Sequence, residues 1–143
     1  MTAAEALKRL QGFFAERGWR PLPFQRTMWR HYLAGQSGLL HTPTGSGKTL
    51  AMFGGPLLQA LVDPLPAPAR RSAVRPLQVL WVTPLRALAT DTARALQAPL
   101  KAIGLDWQVG LRSGDASSRD KRLAREGRLD VLVTTPESLA LLL

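Results

Sequence analysis

The chain has 143 residues, enough for one domain with a real core, and its 45% apolar content excludes a disordered or fibrous class. With no cysteine, it can build neither a disulfide nor a thiolate metal site, which suits a reducing cytoplasm. A net charge of +9, from 15 arginines and 4 lysines against 10 acidic residues, points to a polyanion partner, nucleic acid foremost, although GC-rich codon usage would also inflate arginine.

Met1-Thr2-Ala3-Ala4-Glu5 lacks the basic and apolar regions of a signal peptide. No apolar run approaches the roughly 18 residues of a membrane span, so no membrane association is expected. Thr2 and Glu5 form a capping-box pattern ahead of Ala3, Ala6, Leu7, Leu10, Phe13 and Phe14 at helical spacing, and Gly18 is the stop signal. A second helix is predicted from about Phe24 to Ala34, with Gly35 ending it and Phe24, Met28, Tyr32 and Leu33 facing the core. A first strand is expected near Leu39–Thr42.

Residues 42–49 read Thr-Pro-Thr-Gly-Ser-Gly-Lys-Thr, between an apolar stretch and the helix-compatible Leu50-Ala51-Met52-Phe53. Strand, glycine loop and helix are the setting in which a loop wraps nucleotide phosphates. Gly45 and Gly47 let the backbone turn without a Cβ clash, so the N–H groups of the Thr44-Gly45-Ser46-Gly47 segment can point at phosphate oxygens. The helix that follows adds its positive end. Lys48 would reach the β- and γ-phosphates of ATP, and the Thr49 hydroxyl would ligate Mg²⁺. The strict pattern asks for glycine where Thr42 stands, so the octet keeps only the core G-x-G-K-T; the bland alternative is a glycine turn with a solvated lysine.

Beyond the loop, Gly54-Gly55-Pro56 predicts a kink or restart before a helical Leu57–Val62. The proline-rich stretch from Asp63 to Pro76 reads as an exposed loop. Leu77–Thr83 is a nearly continuous apolar strand, as a parallel sheet buried on both faces requires. A helix over Leu85–Leu96 turns Leu85, Leu88, Ala89, Thr92 and Leu96 inward. Asp106–Leu111 is a third strand, Ser118–Glu126 a charged helix, Asp130–Thr134 a fourth strand, and a last helix opens at Pro136–Glu137. Strands alternating with helices give an α/β fold with right-handed crossovers.

Four separated segments stand in order around the loop: Arg17–Gln25, Val82–Ala89, Arg112–Asp115 and Thr134–Leu139. Together they resemble the first RecA-like domain of superfamily 2 helicases, in the Lhr-like branch and specifically the bacterial ligase-associated DEXH-box DNA helicases. That family tolerates a residue other than glycine at the place of Thr42. The resemblance implies a P-loop NTPase with a parallel sheet flanked by helices, C-terminally incomplete: 1–35 would be N-terminal helices with a Q-motif-like segment, and 36–143 a partial ATP-binding domain. It places Gln25 as the adenine-reading glutamine, whose amide donates and accepts at once. It makes Thr83, Pro84 and Arg86 a phosphate contact on the tracked strand, Gly114 and Asp115 a second, and Thr135, Pro136 and Glu137 a third. Ala116 stands where the family usually has threonine, which removes one hydroxyl contact. Nucleic acid, DNA by resemblance, is the expected partner, with the missing C-terminal helicase domains supplied by a longer protein.

No Asp-Glu-x-His or Asp-Glu-x-Asp occurs in the sequence. In the family this motif gives Mg²⁺ its second handle and orients the attacking water. The expectation is therefore an ATP- and nucleic-acid-binding portion of a DNA helicase that does not hydrolyse ATP by itself. The alternative is a truncated, non-enzymatic binding product.

Overall fold

The computed structural model describes residues 1–43, 47–65, 74, 76–84, 86–112, 122 and 127–142, and every structural statement concerns those. They divide into two compact units: Met1–Leu65 with Pro99–Leu105, and Pro66–Ala98 with Asp106–Leu143.

The first unit is helical. Helix α1 spans Ala3–Glu16, and its capping box is formed: Thr2 Oγ1 accepts from Glu5 N at 3.2 Å and Glu5 Oε2 accepts from Thr2 N at 2.8 Å. The backbone N–H and side chain of Thr2 hold the Glu5 carboxyl below its usual range. At the other end Gly18 takes φ 71°, so Trp19 N reaches Phe14 O at 2.8 Å and Gly18 N reaches Ala15 O at 3.0 Å. This doubled bond stops the helix and folds Trp19 back onto it. The Trp19 ring meets Phe14 edge-on with 6.3 Å between centroids, and Phe14 meets Trp29 at 5.8 Å.

Helix α2 spans Pro23–Leu33 and α3 spans Lys48–Val62. Here the sequence expectation is corrected twice. The buried side chains of α2 are Gln25 and Trp29, while Tyr32 and Leu33 are exposed, so the packed stripe is turned by one position from Phe24, Met28 and Leu33. In addition, α3 runs through Gly54-Gly55-Pro56 as one helix without a restart. Both corrections have one cause. A Cβ on Gly54 would lie 2.2 Å from Trp29 Nε1, and one on Gly55 would lie 2.7 Å from Tyr32 Cγ. The glycines let α2 lie close against α3 instead of breaking it. The core is Ala6, Leu10, Phe13 and Phe14 of α1, Trp29 of α2, Ala51, Phe53, Leu57, Leu58 and Leu61 of α3, and Leu100 and Ile103 of the Pro99–Leu105 segment.

Leu39–Thr42 forms no strand, and Leu39 is 92% exposed. A strand exists only as part of a ladder, and this segment finds no ladder partner among the described residues.

The second unit holds a parallel sheet in the order β1-β3-β2, with β1 Val79–Val82, β2 Val109–Arg112 and β3 Val131–Thr134. Val131 of β3 is opposite Val79 and Val109, and Thr134 is opposite Val82 and Arg112. Strand β3 lies within the predicted fourth strand, Asp130–Thr134, and is buried throughout, as the central strand of a parallel sheet is. Strand β1 departs from the expectation of two buried faces: it is an edge strand, with Leu80 and Val82 nearly half exposed. Helix α4, Arg86–Ile103, connects β1 to β2 and runs seven residues past the predicted end at Leu96. Pro99 lies inside it. Ala89 and Leu96 are buried as expected, Thr92 is half-buried and Leu88 is exposed. Helix α5, Pro136–Leu142, follows β3. Leu85 and nearly all of the predicted helix Ser118–Glu126 lie outside the described residues, as does most of the proline-rich loop.

Candidate functional site

Gly47 is the N-cap of α3 and takes φ 92°, ψ 25°, the left-handed conformation that glycine tolerates best. That turn lets the chain enter α3 with Lys48 and Thr49 as its first two residues. Gly47 has no side chain to cap this N-terminus, and the first turn carries no acidic residue. The helix end therefore presents backbone N–H groups and the positive end of its dipole with no carboxylate of its own first turn against them. A Cβ on Gly47 would come within 2.6 Å of Gln25 Nε2, so the backbone here is open only to glycine. Lys48 and Thr49 are both half-buried, within reach of a ligand at this helix end. The donor set suits a polyphosphate with its magnesium ion: backbone N–H groups, one ammonium and one hydroxyl. Thr44, Gly45 and Ser46 lie outside the described residues.

Gln25 is 3% exposed and its amide is engaged at both ends. Nε2 donates to Gly47 O at 3.1 Å, and Oε1 accepts from Leu22 N at 2.8 Å. The structure thus brings Gln25 to the turn at Gly47 across 22 residues of sequence. Each end of an amide offers two positions, so these bonds leave one donor and one acceptor position to spare.

Four residues along α2, Trp29 donates its indole Nε1–H to Leu50 O at 2.9 Å. Sequence reasoning missed Trp29. The only local sign was that an aromatic with a polar edge sits one turn after Gln25.

In the second unit the predicted nucleic-acid segments leave one edge. Parallel pairing puts the carboxyl ends of β1, β3 and β2 side by side, with Val82, Thr134 and Arg112 in register. Thr83-Pro84 and Thr135-Pro136-Glu137 emerge there, and Arg112 ends β2 at the same edge. Open α/β sheets bind ligands at such carboxyl edges. Thr83 is buried and gives its N–H to Thr134 O at 2.9 Å. Thr135 is buried too, and its hydroxyl caps α5, accepting from Ser138 N at 3.4 Å and pairing with Ser138 Oγ at 3.1 Å. Pro84, Pro136 and Glu137 are exposed. Arg86 opens α4. Gly114 and Asp115 lie outside the described residues.

Two residues at this edge stand inside the motif segments but were given no role from the sequence. Thr134 ties the strand ends together by donating Oγ1–H to Arg112 O at 2.7 Å. Arg112 brings a guanidinium to the last position of β2, half-buried, where a phosphate contact would need one. Both are strand-end residues whose register with neighbours only the sheet order reveals.

A model of the DEAD/DEAH box helicase family matches residues 22–143. The Lhr helicase/probable uracil glycosylase of Mycolicibacterium smegmatis is 44% identical over 133 residues, covering 86% of this chain and 8% of that protein. The Lhr helicase/uracil glycosylase of Escherichia coli is 34% identical over 142 residues, covering 87% of this chain and 9% of its own length. Among solved structures, helicase MrfA bound to DNA and AMPPNP aligns with a TM-score of 0.70 at 26% identity, over 92% of this chain and 17% of that one. The chain therefore spans less than a tenth of the two Lhr relatives.

Proposed function

The chain belongs to the DEAD/DEAH box helicase family, and from that premise we propose that it is an ATP-binding and nucleic-acid-binding part of an ATP-dependent DNA helicase. The observation that carries this reading is the N-terminus of α3, entered through left-handed Gly47 and opening with Lys48 and Thr49. Lys48 would pair with the β- and γ-phosphates and Thr49 would ligate Mg²⁺, with Thr44, Gly45 and Ser46 completing the backbone cradle. Gln25 would offer its spare donor and acceptor positions to adenine. Bound ATP with its magnesium ion supplies the phosphoanhydride bond that a helicase spends.

The carboxyl edge of the β1-β3-β2 sheet is the proposed nucleic-acid track. Thr83, Pro84 and Arg86 would meet one phosphate, Gly114 and Asp115 a second, and Thr135, Pro136 and Glu137 a third. Such contacts position a backbone and read no sequence, as a translocating motor requires. The DNA in the MrfA crystal structure and the +9 net charge support the choice of partner. A cytoplasmic location follows as part of the same reading.

Within the 143 residues no Asp-Glu-x-His supplies a water-orienting carboxylate. Positioning and electrostatics make up nearly all of P-loop catalysis, so the chain by itself should bind ATP without turning it over. A phosphate-release assay with magnesium, ATP and single-stranded DNA tests this. The expected result is retained nucleotide and no release above background; steady turnover by this chain would contradict it.

A further inference from the structure

Helix α2 touches the first turn of α3 with two hydrogen-bond donors spaced one turn apart. Gln25 Nε2 donates to Gly47 O at 3.1 Å, and Trp29 Nε1 donates to Leu50 O at 2.9 Å. Lys48 and Thr49 lie between those two carbonyls in the sequence. Trp29 is 2% exposed. Its indole lies so close to α3 that a Cβ on Gly54 would meet Nε1 at 2.2 Å, Cε2 at 2.5 Å and Cδ1 at 2.9 Å. Its other side meets the Phe14 ring of α1 edge-on, 5.8 Å between centroids. A side chain gripped on both sides has little rotamer freedom, so its N–H is a fixed point rather than an adaptable one.

Packing alone does not require this donor. Leu50 O already accepts the regular bond from residue 54 of the helix, and a phenyl ring would fill most of the same space. What the indole N–H adds is a second anchor on the turn that carries the phosphate-binding side chains. We propose that Trp29 is a positioning residue for that turn: seated on Gly54 and donating to Leu50 O, it fixes α3 so that Lys48 and Thr49 face the bound phosphates.

This rests on the nucleotide-binding reading above, and the test separates the two. Mg·ATP is titrated calorimetrically into the chain and into Trp29→Phe, with far-UV circular dichroism and melting followed on both. Trp29→Phe keeps a ring and removes the donor. Its affinity should fall about fivefold, the worth of one hydrogen bond, while the helical signal is retained. In parallel, ¹⁹F spectra of the unmutated chain labelled with 5-fluorotryptophan follow Trp29 directly, assigned by replacing Trp19, Trp81 and Trp107 in turn with Phe. The Trp29 resonance should shift on addition of Mg·ATP, although the indole touches no phosphate. That second measurement decides the matter even where Trp29→Phe fails to fold.

Wild-type affinity in a folded Trp29→Phe overturns the proposal and leaves the nucleotide site standing, and so does an unmoved Trp29 resonance in a chain that binds Mg·ATP. No binding by the unmutated chain overturns both.

Discussion

Gln25 is the residue whose role changes most between sequence and structure. As a motif glutamine it would be a reader of adenine, waiting for a base. In the fold its amide already joins Leu22 N to Gly47 O, so it also braces the turn into α3. The two roles predict different things. A pure base reader could be removed without cost to the nucleotide-free protein. A brace cannot, because the turn at Gly47 would lose its side-chain bond and a buried volume would open beside it. Gln25→Ala should therefore destabilise the nucleotide-free chain by about 1–3 kcal/mol, the usual cost of breaking a buried polar contact. Urea denaturation without ligand measures it, and an unchanged midpoint would return Gln25 to base reading alone. Glu5 stands at the other extreme, since its partner Thr2 is three residues away and the capping box was evident from spacing alone. Its depressed pKa means that the stabilisation is full above the ordinary glutamate range and lost as pH falls through the folded value.

Among the elements, those built from local signals were legible. The capping box and Gly18 bracket α1, β3 falls inside the strand read at Asp130–Thr134, and Pro136 opens α5. The failures share a physical cause, which is that the deciding partner lies far along the chain. Leu39–Thr42 has strand composition but forms no strand among the described residues, and composition cannot show that. Gly54-Gly55-Pro56 looks like a helix breaker because propensity counts only the local cost of glycine and proline. The benefit, room for Trp29 and Tyr32, belongs to α2. A contrast between two helix glycines follows. Gly12 in α1 has nothing within 4 Å of its Cβ position, so Gly12→Ala should stabilise the protein by about 0.5–1 kcal/mol. Gly54→Ala drives a methyl into the Trp29 indole and should cost about 1–3 kcal/mol or more, as overpacking does. Thermal melts of both variants check the sign of each effect; a neutral Gly54→Ala would show that α2 does not lie as close to α3 as described.

At the scale of the whole molecule, each unit supplies a candidate surface of its own. The first offers a helix end that opens with a lysine, and the second offers a parallel-sheet edge where the Thr83 and Thr135 segments emerge beside Arg112. Residues 17–62 contain no aspartate or glutamate, and the chain as a whole is strongly basic. Binding to single-stranded DNA should therefore release counterions, with the logarithm of affinity falling by about 0.7 per phosphate contacted for each tenfold rise in salt. Three proposed phosphate contacts give a slope near −2 by that rule, readable by fluorescence anisotropy across a salt series; a flat response would remove the sheet edge as a nucleic-acid track. The account depends most on the helix end at Lys48. Its direct test is calorimetric titration of Mg·ATP into the chain and into Lys48→Ala, with circular dichroism confirming that both are folded. The account predicts saturable binding by the first and none by the second. Equal binding by the two would contradict it, because the phosphates would then be held somewhere other than at the start of α3.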